Sequence, residues 1–178
     1  MQELLNKLVK KNKVFTKEGK VANYIPELDK APKEALGICI LDNEGNSYCA
    51  GDVNTKFTIQ SISKIVTLML AILDNGEEYV FSKVGMEPTG DPFNSIRKLE
   101  TSSRKKPYNP MINAGAIAVC SMIKGKDARE KFTRLLDFFR KISEEPTLDV
   151  NYKIYCGERE TSMDEDENVS GKKTKTVV

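Results

Sequence analysis

The sequence contains no histidine, and this absence removes several classes of function. Ser-His-Asp and Cys-His catalytic systems both use an imidazole as general base. Zinc sites of the His-Glu-x-x-His and Cys2His2 types need the same side chain as a ligand. Any acid–base chemistry in this chain must therefore use lysine, tyrosine, aspartate, glutamate or cysteine.

A weak net charge and short apolar runs exclude two further classes of partner. The formal net charge is only +2, so the sequence predicts no nucleic-acid binding, which needs clustered basic charge. No apolar run approaches the roughly 18 residues that a membrane-spanning helix needs. The charged first residues also differ from a signal peptide, which has an apolar central region. We expect a cytoplasmic protein that binds neither nucleic acid nor membrane.

Cysteine is scarce, and its spacing indicates neither a metal site nor a redox motif. The chain has four cysteines, Cys39, Cys49, Cys120 and Cys156, and no Cys-x-x-Cys pair. In a reducing cytoplasm such residues behave as small apolar side chains. The sequence therefore predicts four buried thiols and no metal ion.

The chain does contain short apolar segments with clear periodicity. Residues 35–41 and 47–50 flank a run of turn-forming residues, which predicts an antiparallel hairpin over residues 35–50. Apolar residues at helical spacing predict helices over residues 2–11, 61–73, 77–84, 113–124 and 127–143. The segment 61–73 is apolar nearly all round, which is typical of a buried central helix. Proline and glycine indicate an ordered loop over residues 85–110.

The last residues differ in character from the rest. Residues 162–178 contain an acidic cluster followed by a basic one, and they have little apolar surface to bury. This composition predicts a disordered, solvated tail. The sequence thus divides into one domain over residues 1–161 and a divergent charged tail over residues 162–178.

One arrangement of residues can perform serine chemistry without histidine. In a Ser-x-x-Lys pair on a helix, the amine lies on the same face as the hydroxyl and can accept its proton once burial lowers the lysine pKa. The spacing occurs six times, but only Ser61 and Lys64 open the apolar helix, where an ammonium group is desolvated most. The structural alternatives are a helix-capping serine and a lysine whose amine reaches water.

Beyond this pair, the chain resembles the serine-dependent glutaminases, which share their fold with β-lactamases and penicillin-binding proteins. Two segments carry most of the resemblance, residues 57–64 (FTIQSISK) and residues 109–117 (NPMINAGAI). Further matches occur in the family's order at residues 24–28, 84–90, 93–96 and 158–161. The resemblance covers about residues 20 to 161.

The resemblance implies a site for the hydrolysis of glutamine. Ser61 corresponds to the family's nucleophile and Lys64 to its general base. Tyr24, Asn113 and Glu158 correspond to substrate-binding residues. By this correspondence, Asn113 holds the α-carboxylate side of glutamine, because an amide can donate hydrogen bonds to a carboxylate. Glu158 pairs with the α-ammonium group of glutamine, because a carboxylate is the natural partner of an ammonium. The structural alternatives are a core tyrosine, a helix-capping asparagine and a surface glutamate.

The resemblance also implies a fold that is only partly present. It stops at Thr161, about halfway through the family's catalytic domain, so the tail indicates a truncated or frameshifted end. The implied fold is α+β, the N-terminal portion of a β-lactamase-like domain, with an antiparallel hairpin and a helical region but without the C-terminal strands. The family's chemistry implies no metal ion and no organic cofactor, and its frequent assembly makes a homo-oligomer an option.

Three functions follow as hypotheses. The first is a glutaminase that converts L-glutamine to L-glutamate and ammonia through a Ser61 acyl-enzyme. The second is a truncated, catalytically impaired homologue that acts as a pseudo-enzyme or as an assembly partner, since half of the oxyanion hole is missing from this chain. The third is an acyl transferase acting on β-lactams or peptides, which the NPMINAGAI segment disfavours.

Overall fold

The structure, a computed structural model, describes the backbone of residues 1–90 and 106–169 and the side chains of these segments up to Thr161. Its main elements are, in chain order, helix α1 (Gln2–Asn12), strands β1 (Gly37–Leu41) and β2 (Ser47–Gly51), and helices α2 (Ser63–Asn75), α3 (Glu77–Lys83), α4 (Asn113–Met122), α5 (Ala128–Ser143) and α6 (Tyr152–Val169). Short 3-10 helices lie at Lys13–Lys17, Leu28–Lys30 and Gln60–Ile62. Unit 1 comprises Met1–Thr58 and the chain from Val150 onward, and unit 2 comprises Ile59–Asp149.

The mixture of helices with a small antiparallel sheet confirms the predicted α+β class. The predicted tail is wrong in part, because α6 continues past Thr161 to Val169, through residues that include the good helix formers glutamate and methionine. The domain boundary at 161 stays a prediction. The predictions for residues 91–105, which include the match at 93–96, and for residues 170–178 lie outside the described residues.

Among the described helices, none combines the length and apolar character needed to cross a bilayer.

In unit 1 the predicted hairpin forms as β1 and β2. Asp42 shapes its turn because the carboxylate accepts hydrogen bonds from the backbone N–H groups of Glu44 (2.9 Å) and Asn46 (2.8 Å). Gly45 follows with a φ of 86°, a left-handed conformation that glycine adopts without strain. The turn therefore forms where its residue types predict it.

The N-terminal helix of unit 1 covers the outer edge of the hairpin. The side-chain amide of Gln2 donates to the carbonyl of Cys49 at 2.7 Å and accepts from the N–H of the same residue at 3.2 Å. One side chain thus satisfies both backbone groups of an edge-strand residue, which would otherwise be open to pairing with another strand. This contact joins α1 to β2.

The cysteines differ from the prediction of four buried thiols. Cys39 and Cys49 lie directly opposite each other in the hairpin, with their Cα atoms 4.2 Å apart, and form a disulfide. Cys156 is exposed on α6. Only Cys120 behaves as expected, because it is partly buried and desolvation raises the pKa of its thiol. The prediction is wrong for the other three cysteines. The register of the hairpin pairs Cys39 with Cys49, and the position of Cys156 on α6 exposes its thiol, and composition indicates neither.

In unit 2, helices α2 and α4 run parallel to each other. Lys64 at the start of α2 donates to Asn113 at the start of α4 (2.7 Å), and Asn75 at the end of α2 donates to the carbonyl of Met122 at the end of α4 (2.8 Å). Together with α3 and the residue after it, they enclose a small core of Ala71, Val80, Val84 and Val119. Burial of each valine contributes roughly 1.5–3 kcal/mol, so this core fixes the three helices together.

Helix α2 is less buried than its composition predicts. Val66, Thr67, Leu70 and Ala71 are buried, whereas Ile62, Ile65, Met69 and Leu73 are exposed. The prediction of a helix buried all round is therefore wrong for this structure. The reason is that α3, α4 and α5 all contact the helix and, within the described residues, leave one of its sides open.

Helix α5 is tied to α2 by an ion pair. Both terminal nitrogens of the Arg134 guanidinium donate to the carboxylate of Asp74, at 2.7 and 2.6 Å, and the backbone N–H of Lys124 donates to the same carboxylate at 2.8 Å. The Asp74 side chain is only 8% exposed. The hydrogen bond from Arg134 is the main reason that the pKa of Asp74 lies below its usual range.

We predict that replacing Asp74 by asparagine destabilises unit 2 by about 2 kcal/mol at pH 7, since it removes charge-assisted hydrogen bonds from a buried site. Because the folded pKa is depressed, this stabilisation is present above the ordinary aspartate range and is lost as the pH falls through the folded value. Urea unfolding at pH 7 and pH 3 measures both effects. The control is Asp137→Asn, which removes a surface pair whose carboxylate is 62% exposed and should change stability by less than about 0.5 kcal/mol. Equal effects of the two variants at pH 7 contradict the prediction.

Candidate active site

Ser61 lies in the 3-10 turn that leads into α2, and its side chain is exposed. The N-cap position of α2 belongs to Ile62, which has no side chain able to cap. The hydroxyl that closes this turn is that of Ser63, which donates to the carbonyl of Gln60 at 2.8 Å. The alternative of Ser61 as the capping serine is therefore wrong, and its hydroxyl is not used to begin the helix.

Gln60 has an unusual backbone conformation that the sequence does not signal. Its φ is 44°, in the left-handed region that costs a non-glycine residue roughly 1–2 kcal/mol. Its carbonyl accepts from both the hydroxyl and the N–H of Ser63, which hold it in place. Strained residues of this kind cluster at functional turns. Gln60 thus directs the chain immediately before Ser61, and glutamine is not a residue from which this conformation is expected.

Lys64 has the environment that serine chemistry requires of its base. Partial burial at the start of α2 lowers the pKa of its amine below the ordinary lysine value, because desolvation disfavours the ammonium form. Its Nζ donates to Oδ1 of Asn113 at 2.7 Å. The amine is therefore held at the junction of α2 and α4 and does not simply extend into water.

Asn113 is the first residue of α4, and the preceding segment explains its position. The side chain of Asn109 accepts from the N–H groups of Met111 (3.0 Å) and Ile112 (3.2 Å) and so supports the start of the helix. The capping alternative for Asn113 is wrong, because Ile112 occupies the N-cap position. Since Oδ1 of Asn113 faces Lys64, the donating end of its amide remains as the group that suits a carboxylate.

Gly115 allows α4 to approach the segment before it. A Cβ atom built at this position meets the carbonyl oxygen of Asn109, its carbonyl carbon at 2.8 Å and the Cα of Pro110 at 3.1 Å. All three are backbone atoms, which cannot rotate away. The spacing within NPMINAGAI is therefore a packing requirement that places Asn113 beside Lys64.

Tyr24 and Glu158 belong to unit 1, where the structure brings their segments together. Gly157 packs against the fully buried Ile25, and a Cβ atom on Gly157 would lie 3.1 Å from that side chain and against the carboxylate of Glu27. Tyr24 precedes Ile25 and is 61% exposed, so the alternative of a core tyrosine is wrong. Glu158 follows Gly157 on α6 and is half-buried.

Unit 1 also contains an open cleft of about 430 Å³ beside these segments. Its lining residues are Pro26, Glu27, Tyr152, Lys153, Cys156, Gly157 and Glu160. One carboxylate oxygen of Glu27 is buried there, and no hydrogen-bond partner is found for it in the described part of the chain. Within the described segments, no group of three or more cysteine, aspartate or glutamate side chains is placed to hold a metal ion.

The structure thus assembles the predicted residues in two sets. In unit 2 it joins Lys64 to Asn113 and places Ser61 three residues before Lys64, which provides a hydroxyl, an amine of lowered pKa and an amide. In unit 1 it brings the segments of Tyr24 and Glu158 into contact, which provides a phenol and a carboxylate. The first set provides the hydroxyl and the amine that acylation of a serine uses, and the second set provides a phenol and a carboxylate within its own unit.

Comparison with known proteins agrees with this chemistry. The family model for glutaminase matches residues 19–169. A glutaminase of Fusobacterium nucleatum is 75% identical over 163 residues, which are 92% of this chain and 54% of that protein. The chain therefore spans about half the length of the curated relatives it matches.

Solved structures resemble the chain in the same way. The probable glutaminase of Bacillus subtilis superposes with a TM-score of 0.80 at 36% identity, over 90% of this chain and 48% of that one. A structure of a probable glutaminase from Bacillus subtilis complexed with 6-diazo-5-oxo-L-norleucine gives a TM-score of 0.79 at 32% identity, over 93% of this chain and 49% of that one. Because the family model covers most of the sequence and these likenesses agree with it, the chain belongs to the glutaminase family.

Proposed function

We propose that this chain provides the acylating half of a glutaminase, which hydrolyses L-glutamine to L-glutamate and ammonia. The observation that supports the proposal best is the partly buried amine of Lys64, whose pKa is lowered by desolvation, three residues after the exposed Ser61. Asn113 and Glu158 bind the α-carboxylate and the α-ammonium of the substrate, and Tyr24 lines the pocket. L-Glutamine is the only small-molecule partner that the reaction needs besides water.

The reaction proceeds in two acyl-transfer steps. Neutral Lys64 accepts the proton of the Ser61 hydroxyl while Oγ bonds to the side-chain amide carbon of glutamine. The carbon–nitrogen bond then breaks, and Lys64 returns the proton to the leaving nitrogen, which departs as ammonia. Water next attacks the glutamyl ester and gives its proton to Lys64. The ester bond breaks, Ser61 Oγ takes up this proton, and L-glutamate is released.

Labelling by a glutamine analogue tests the proposal independently of turnover. The probe is 6-diazo-5-oxo-L-norleucine, whose diazo ketone loses nitrogen when a nucleophile bonds to the adjacent carbon. We expect mass spectrometry to find one adduct, on the peptide that contains Ser61, together with ammonia release from L-glutamine. Absence of both, in a chain whose circular dichroism shows it to be folded, overturns the proposal.

The second candidate is a glutaminase homologue without activity of its own. It is favoured by one observation, that the chain spans only about half of its relatives. An adduct at Ser61 without ammonia release supports this version, since acylation then occurs without completion of the cycle. We also propose a cytoplasmic location, a compartment whose reducing conditions would open the Cys39–Cys49 disulfide that the structure contains. Assembly into a homo-oligomer stays a prediction, which light scattering measures.

The pH dependence of hydrolysis follows from the role of Lys64. Only the neutral amine accepts a proton, so kcat/KM should rise with pH through the lowered pKa of Lys64 and then level off. In the variant Asn113→Asp, a carboxylate replaces the amide that Lys64 contacts at 2.7 Å, which raises the lysine pKa and moves the rise to higher pH. Initial rates between pH 6 and pH 10 on both proteins measure the shift (roughly one unit or more is expected for a direct ion pair). Superimposable profiles contradict the assignment of Lys64 as base.

A further inference from the structure

The two cysteines of the hairpin lie where antiparallel strands approach each other most closely. The backbone N–H of Asp42 donates to the carbonyl of Asn46 at 3.0 Å, and hydrogen-bonded pairs alternate with non-hydrogen-bonded pairs along the ladder from that point. Cys39 and Cys49 therefore form a non-hydrogen-bonded pair, the type in which opposite side chains are nearest. Their Cα atoms are 4.2 Å apart, and the two sulfur atoms are bonded in the structure.

The backbone holds this pair in register without using the cysteine side chains. Strands β1 and β2 pair along five residues each, and the carboxylate of Asp42 holds the turn between them. On the outer edge, the side chain of Gln2 satisfies both the N–H and the carbonyl of Cys49. None of these contacts involves a sulfur atom. The bond between the two cysteines can therefore open and close while the hairpin keeps its backbone hydrogen bonds.

The sulfur atoms are accessible from solvent, and a hydroxyl lies beside them. Cys39 is exposed and Cys49 is half-buried. Exposed disulfides are the ones that exchange most readily with thiols. The Oγ of Ser47 lies 3.6 Å from Sγ of Cys39 and 3.5 Å from Sγ of Cys49. A hydroxyl at this position can donate to the thiolate that forms when the disulfide opens.

We propose that Cys39 and Cys49 form a reversible redox site that reacts with small-molecule disulfides and thiols. In a reducing compartment the pair is a dithiol, and an excess of a small-molecule disulfide closes it. The reaction uses residues of unit 1 alone and no residue assigned to glutamine hydrolysis. The site therefore succeeds or fails in its test whether or not the chain hydrolyses glutamine.

Closure takes two thiol–disulfide exchange steps. The thiol of Cys39 loses its proton to water, and its sulfur bonds to one sulfur of the small-molecule disulfide, whose S–S bond breaks. One small thiolate leaves and takes up a proton, and a mixed disulfide remains on Cys39. The thiolate of Cys49 then bonds to Sγ of Cys39 and displaces the second small thiolate, which also takes up a proton. Two cysteines are thereby oxidised to a disulfide and one small-molecule disulfide is reduced to two thiols, and excess thiol reverses both steps.

Cys156 provides a matched control in the same unit. It is exposed on α6 and its thiol is free. A small-molecule disulfide can exchange with this thiol, but no second cysteine is paired with it to displace the resulting adduct. We therefore expect the mixed disulfide to persist on Cys156, whereas on Cys39 it should be resolved by Cys49.

Peptide mapping by mass spectrometry tests the proposal. The 178-residue chain is reduced with dithiothreitol without denaturant, separated from the reductant, and incubated with glutathione disulfide before the remaining thiols are alkylated. We expect the peptides of Cys39 and Cys49 to be joined by a disulfide, and the peptide of Cys156 to carry a glutathione adduct. In Cys49→Ser, or in Cys49→Ala if the serine variant does not fold, the adduct should persist on Cys39. Excess reduced glutathione should return the unaltered chain to the dithiol.

Three outcomes overturn the proposal. The first is a glutathione adduct that persists on Cys39 of the unaltered chain, since Cys49 then does not resolve it. The second is no oxidation of either cysteine of the hairpin while Cys156 reacts. The third is a disulfide that dithiothreitol opens only in urea, or whose opening removes the far-UV circular dichroism signal, because the bond is then a fixed structural cross-link. Superimposable spectra of the two redox forms are expected.

Discussion

Replacement of Ser61 by alanine is expected to lower glutamine hydrolysis by about 10⁴-fold or more, because no acyl-enzyme can form without the hydroxyl. Lys64→Met removes the base while keeping a stem of similar length, and should cost about 10²–10⁴-fold. The double variant should be little slower than Ser61→Ala alone, because the two residues perform one step together. Ammonia release is measured for the 178-residue chain.

The chain offers a matched control for this experiment. Ser121 and Lys124 have the same Ser-x-x-Lys spacing at the end of α4, and the Ser121 hydroxyl donates to the carbonyl of Ala118 at 2.7 Å. Lys124 is exposed there, whereas burial lowers the pKa of Lys64. Ser121→Ala should therefore leave the rate unchanged. Additive losses in the Ser61 and Lys64 variants, or an equal loss in Ser121→Ala, contradict the assigned roles.

The helices and the hairpin could be predicted from the sequence because their signals are local. The turn residues 42–46 fix the centre of the hairpin, and β1 and β2 form on either side of it. The same turn also determines the register, in which Cys39 falls opposite Cys49. The disulfide was thus accessible from the hairpin prediction, but spacing rules for Cys-x-x-Cys motifs do not detect a cross-strand pair.

The exposure of one side of α2 could not be predicted from the sequence. The apolar pattern of a helix does not distinguish a surface that the described residues cover from one that they leave open. Ile65, Met69 and Leu73 are as apolar as the buried residues of the same helix, yet the described residues leave them exposed. Periodicity therefore indicates which surfaces must be covered and does not identify what covers them.

In the candidate site, too, some features could be predicted from local sequence and others depend on tertiary contacts. Spacing and helix position single out Ser61 and Lys64 among six Ser-x-x-Lys pairs, and the lowered pKa of Lys64 agrees with that choice. The contact between Lys64 and Asn113 joins residues 49 positions apart, and the family resemblance assigned a role to each residue without indicating that the two touch. The left-handed backbone of Gln60 has no sequence signal, because the surrounding turn imposes it on a residue that does not favour it.

Gly115→Ala provides the sharpest test of how this site is held together, because two effects predict opposite signs. Helix propensity alone favours alanine over glycine inside α4 by about 1 kcal/mol. The added Cβ meets the backbone of Asn109 and Pro110, with the carbonyl carbon of Asn109 at 2.8 Å, so the helix must move away from its support. Backbone displacement in a packed region costs more than propensity returns, and we expect a net loss of about 2–3 kcal/mol.

Urea unfolding followed by far-UV circular dichroism measures this loss as a lower midpoint at unchanged slope. Gly90→Ala is the control in the same unit, because a Cβ atom there meets nothing within 4 Å in the described part of the chain, and stability should change by less than about 0.5 kcal/mol. The loss should also reach the chemistry, since Asn113 lies two residues before Gly115 and contacts Lys64. A stabilised Gly115→Ala protein would mean that α4 does not approach residues 109–110 closely, and that another contact places Asn113 beside Lys64.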